Sequence, residues 1–140
     1  ISAHTVIFLH HPLYRQDPGE KDSWAAIPGD KRRALLDLFV VHGVSAVFSG
    51  HWHKCHYVIH KGIAMVTTGS VGYPLGEDPS GLRIVKISRD KIDHQFYGLD
   101  QIPEREELTL SNNTGSCRSE SAAGQWKIFG FSSSLGQETD

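Results

Sequence analysis

An α/β fold is predicted on three observations. Residues 5–9 and 44–48 are short runs rich in β-branched and large apolar side chains, the pattern of buried strands. Between them, residues 31–42 carry Leu35, Leu38, Phe39 and His42 at helical spacing. A strand, a helix and a strand in that order form a right-handed crossover, which makes the two strands parallel and points their carboxyl ends the same way.

Taken in order, the run at 5–9 is expected to be a central strand, stopped by Pro12. Residues 14–29, with Pro18, Gly19, Pro28, Gly29 and charges of both signs, have the composition of a surface loop, which either contacts a substrate or is simply solvated. Asp30 is placed to cap the helix and Gly43 to end it, with Lys31, Arg32, Arg33 and Asp37 mostly outside the inward face. His42 reads as a helix-end histidine. Residues 57–60 and 63–67 read as a hairpin turning at Lys61-Gly62. A Gly-rich loop runs from Thr67-Thr68-Gly69-Ser70 to Gly81; its amides and hydroxyls either form an anion-binding nest or merely turn. Residues 81–87 and 92–97 read as a last hairpin, with His94 a cross-strand residue.

Composition narrows the function. At 140 residues this is one domain at most, and a net charge of −2 from 14 basic and 16 acidic residues leaves no polyanion footprint, so nucleic acid is not an expected partner. No apolar run approaches a membrane span, and the N-terminus has no export signature. Cys55 and Cys117 stand far apart and read as reduced thiols of a cytoplasmic protein, in which the acceptor triplet Asn112-Asn113-Thr114 has no consequence. The first residue is Ile1, followed almost at once by a strand, which reads as the middle of a longer protein. Ser, Gly, Asn and Thr dominate residues 111–140, so 104–140 is expected to be a disordered tail and 1–103 the folded part.

Nine histidines stand out. His10 and His11 follow one apolar run, while His51 and His53 follow the other through Gly50, whose backbone freedom suits a sharp turn at a sheet rim. In an extended segment His51 and His53 project to the same side, which suits a metal site. A histidine pair at that spacing is also a common solvated or hydrogen-bonded pair. What favours a site is that both strands deliver imidazoles to their carboxyl ends, where open α/β sheets bind ligands.

With FLHHPLY at 8–14, VFSGHWHK at 47–54 and GEDPSGLRIV at 76–85, the chain resembles the C-terminal half of a calcineurin-like metallophosphoesterase, and among these the CPPED-type serine/threonine phosphatases. The likeness covers about residues 4–102. It implies the C-terminal half of a four-layer αββα sandwich, an incomplete domain, with two metal ions (Mn, Fe or Zn) between the sheets. It also implies hydrolysis of a phosphorylated protein or small phosphoester by in-line attack on phosphorus. By resemblance His10 and His51 would bind one ion and His53 the other, while His11 would take the catalytic position at the substrate, or simply pack. The carboxylates of DxH and GDxxD and the GNH motif of the family are absent; Gly29-Asp30-Lys31 only begins like GDxxD, and Lys54-Cys55-His56 also departs from the family pattern. Two divalent cations about 3.5 to 4 Å apart repel by roughly 18 kcal/mol at an effective dielectric near 20, and neutral imidazoles do not offset that. The second ion is therefore expected to need ligands from a missing N-terminal half, and the chain alone to be inactive. Two rivals remain: a zinc site of His51, His53 and Cys55 alternating along an extended segment, closed by His10, and a non-catalytic interaction fragment.

Overall fold

The computed structural model describes residues 3–106. Cys117, Asn112 and all but the first residues of the expected tail lie outside that range. The described chain is mixed α/β, in the order β1 (Thr5–Phe8), α1 (Gly29–Val41), β2 (Val44–Ser49), β3 (His56–His60), β4 (Ile63–Thr67), β5 (Gly81–Ile87) and β6 (Ile92–Gly98). The first sheet has the order β1-β2-β4-β3, with β1, β2 and β4 mutually parallel and β3 antiparallel to β4; β5 and β6 form a separate antiparallel pair. Among the described residues no helix is long and apolar enough to cross a membrane.

The layers follow from strand alternation. Val47, Met65 and Ile63 join Leu36 and Phe39 of α1 in one core cluster, together with Leu13 and Tyr14. Ala46, Phe48 and Val66 point to the other face, where Val85 of β5 and Ile92 of β6 pack on them. The order is therefore helix, four-stranded sheet, two-stranded sheet. Val44 would fall on the hairpin side under strict alternation, yet it belongs to the helix-side cluster. An irregularity in the β1/β2 register, where Thr5 faces Val44 and Val6 already faces Ala46, shifts the phase by one residue.

Several expectations are corrected. Among the described residues β1 is at the edge of its sheet rather than central, and Phe8 is 68% exposed although its ring stacks on Phe48. The helix starts after Pro28, which makes no side-chain cap, so Asp30 sits inside the first turn instead of capping it. Leu36 and Arg32 are buried, whereas Leu38 and His42 are exposed. Apolar side chains occupy nearly every position from 34 to 41, so spacing alone did not select a face. Arg32 tolerates burial because its guanidinium donates to the carbonyl of Glu20 and lies 3.7 Å from the Glu20 carboxylate. The stretch 14–29 is not simply solvated, since Tyr14, Ala25 and Ala26 are in the core and the Ile27 amide donates to Pro12 O. The two hairpins stand as expected, with β3 and β6 differing from the predicted bounds by one residue.

Candidate metal centre

Three carboxyl ends lie side by side at one sheet edge, and backbone bonding continues past the strands. The Leu9 amide donates to Phe48 O at 2.9 Å, Gly50 to His10 O at 3.0 Å, and Thr68 to Ser49 O at 2.8 Å. This stitching holds His10, His11 and the 50–53 turn in register. The parallel crossover thereby does what the strand pattern implied: His10, His11 and His51 form a group whose candidate ligand atoms all lie within 4.8 Å of one another, and no other metal-capable group of three or more occurs among the described residues.

Within that group His51 Nδ1 lies 3.0 Å from His10 Nε2, and the His11 and His51 rings are tilted against each other with centroids 3.7 Å apart. His51 Nε2 lies 3.1 Å from the backbone oxygen of Trp24. A carbonyl only accepts, so Nε2 carries the proton and Nδ1 of neutral His51 presents its lone pair toward His10. His53 is outside the group. Its Nδ1 donates to Tyr73 O at 2.6 Å, which leaves Nε2 as its lone pair. The two histidines of the motif thus expose opposite nitrogens, and in each the remaining N–H is spent on a backbone carbonyl, the arrangement that orients imidazoles for metal ligation. His11 is held below the ordinary imidazole range, first by burial and then by the neighbouring His51 and His10, which favours its neutral form.

The turn is not extended, which corrects the same-side argument for His51 and His53. Both residues are left-handed, with φ of 61° and 57°, while Gly50 is not. Non-glycine residues in that region cost on the order of 1–3 kcal/mol each and collect at functional sites. The bend also dissolves the alternation of His51, His53 and Cys55. The Cys55 thiol instead lies 3.8 Å from an Arg83 guanidinium nitrogen, and its amide donates to the Asp78 carboxylate at 2.6 Å. The Gly-rich loop turns rather than opening as a nest at Gly72 and Tyr73, whose amides both donate to Ser70 Oγ.

The donor set fits a metal. With His51 Nδ1 accepting, His10 Nε2 donates the proton between them; once that proton is released, two nitrogens 3.0 Å apart are close enough to bond one ion at about 2.0–2.1 Å. The group contains no carboxylate, so it fits one ion better than two. Trp24 and Tyr73 were not singled out from sequence. Their contribution here is a main-chain oxygen, which every residue possesses.

The chain is similar to proteins named serine/threonine-protein phosphatase CPPED1, which belong to the calcineurin-like family. It is 39% identical over 102 residues to the one from Bos taurus, covering 73% of this chain and 33% of that protein. The corresponding values are 38% over 104 residues for the protein from Danio rerio, covering 74% and 34%, and 36% over 103 residues for that from Homo sapiens, covering 73% and 33%. The chain spans about a third of the length of these curated relatives. No family model and no solved structure matches.

Proposed function

We propose that this chain carries the histidine-bearing part of a metal-dependent phosphoesterase acting on phosphorylated proteins, as its relatives' name says of them. The observation that carries the reading is the convergence of His10 Nε2 and His51 Nδ1 at 3.0 Å, from two strand ends 41 residues apart, with the far nitrogen of His51 secured by Trp24 O. His10 and His51 would hold one ion and His53, through Nε2, a second. Ligands for that second ion, including a carboxylate, would come from residues outside this chain. When bound, the ions supply activation of the nucleophile and neutralisation of charge at phosphorus. His11, whose ring is tilted on that of His51, would meet the substrate phosphate.

Among the described residues no carboxylate joins the histidine group to offset cation repulsion, so the chain alone is expected to bind at most one ion and to show negligible turnover. Metal content by mass spectrometry and hydrolysis of an aryl phosphate in Mn²⁺, Zn²⁺ or Fe test this. Robust hydrolysis by the purified 140-residue chain would overturn the partition of ligands, and absence of metal from both this chain and the longer protein would overturn the assignment.

A single-ion site of His10, His11 and His51 is favoured by their grouping within 4.8 Å. His11→Ala separates the two readings: a single-ion site loses its metal, whereas the dinuclear centre keeps its ions and loses turnover. Cys55→Ser should leave metal affinity unchanged within about twofold in either case, because its thiol sits against Arg83. A larger loss would restore the His/Cys zinc reading.

A further inference from the structure

The two histidines of the 50–53 turn share a construction that their role as ligands does not require. The carbonyl that fixes His51 belongs to Trp24, and the indole of that same residue lies edge-on to the His51 ring, centroids 5.5 Å apart at 72°. The carbonyl that fixes His53 belongs to Tyr73, whose phenol lies 6.3 Å from the His53 ring at 74°. Any residue could lend its main-chain oxygen; here both are large aromatics. Among the described residues both rings stay exposed, Trp24 at 71% and Tyr73 at 69%, so packing within residues 3–106 accounts for little of their presence.

Their backbones are pinned. Ala25 and Ala26, directly after Trp24, are 2% and 5% exposed, and Ile27 is bonded to Pro12 next to His11. The Tyr73 amide donates to Ser70 Oγ, and the Leu75 amide donates to His53 O at 3.0 Å. An exposed aromatic ring on a fixed backbone offers contact area at small entropic cost, which is how Trp and Tyr serve recognition.

We infer that Trp24 and Tyr73 are specificity residues, two aromatic walls beside the histidines that favour a phosphomonoester whose alcohol side presents flat or apolar surface, as in a phosphorylated protein segment with apolar neighbours. The inference rests on the phosphoesterase reading above. It predicts discrimination against small polar phosphate esters, which reach the ions without touching either ring. Each ring contributes roughly a two- to tenfold preference, the range of aromatic contacts.

The test uses the full-length, metal-loaded protein and two non-hydrolysable probes, phenylphosphonate and methylphosphonate, titrated calorimetrically. The wild type is expected to bind the phenyl probe at least tenfold tighter. Trp24→Ala and Tyr73→Ala should each reduce that ratio two- to tenfold, leaving methylphosphonate affinity within twofold and metal content intact, since the backbone carbonyls remain. Trp24→Phe should restore most of the ratio. Equal affinities in the wild type, a preference that survives the double alanine variant, or loss of metal in Trp24→Ala would each overturn the inference. If neither probe binds, the phosphoesterase reading itself fails and takes this inference with it.

Discussion

The 50–53 turn and the Lys61-Gly62 turn both place residues in the left-handed region, at φ of 61° and 57° in the first and 47° and 85° in the second. In the hairpin the chain follows local rules. Gly62 takes the most positive angle and Lys61 points into solvent, so the two-residue connection matches the twist of β3 and β4. At the strand ends the same backbone shape is carried by two histidines, at a cost that glycine would avoid. Where the turn only has to reverse the chain, sequence and conformation agree. Where they disagree, the disagreeing residues are those whose ring nitrogens are aimed by Trp24 O and Tyr73 O.

Three measurements break or sharpen this contrast. The largest effect belongs to His51→Gly, which should lower metal affinity of the full-length protein at least a hundredfold. Its ion-free stability should stay within about 1 kcal/mol, as relief of the left-handed backbone offsets loss of the Trp24 contact. A large fall in ion-free stability with metal affinity intact would make that histidine a structural residue. Gly62→Ala should do the reverse. Its added methyl meets nothing within 4 Å, so the φ of 85° is the whole penalty, about 1 kcal/mol in denaturant unfolding, with metal binding unchanged. No destabilisation there would mean that a left-handed angle costs little in this sheet, and the strain argument at His51 would weaken with it.

The third measurement concerns a histidine away from both turns. His94 on β6 is pushed down to about 4 from the ordinary value near 6.5, chiefly by burial and then by Arg83 on β5, with Asp93 opposing. Arg83 Nη1 donates to His94 Nδ1 at 2.8 Å, while Phe48 and Tyr57 cover the ring, so a second proton finds no acceptor there. The unfolded chain therefore binds that proton more readily, and its contribution to stability is whole above pH 6.5 and shrinks as pH falls toward 4. His94→Gln should flatten the melting-temperature profile over that window. An unchanged slope would assign the acid sensitivity elsewhere.

How far the chain could be read ahead of its structure varies by element. Strand, helix, strand and the two hairpins were legible, since alternation, turn chemistry and the Gly43 stop act within a few residues of each other. The inward face of α1 was not, because a stretch that is apolar almost all round leaves the choice to its neighbours, and the buried Arg32 depends on Glu20, twelve residues earlier. His10 and His51 were legible as partners through the parallel crossover. Their tautomers were not, for a tautomer is set by whichever carbonyl happens to face the far nitrogen. The His51/His53 geometry was misread as extended because strand alternation was carried past the end of β2 as far as residue 53.

Local chemistry along the chain thus dictated which segments pair, that two strands end in histidines, and that those ends share one edge of the sheet. Contacts between distant segments decided the rest: that His11 joins His10 and His51, and that Trp24 and Tyr73 hold the motif's two imidazoles in opposite orientations. The division has a physical cause. Turn preferences and hydrophobic periods are properties of neighbouring side chains, whereas a ring's orientation answers to a hydrogen-bond partner whose position exists only once the loops have closed.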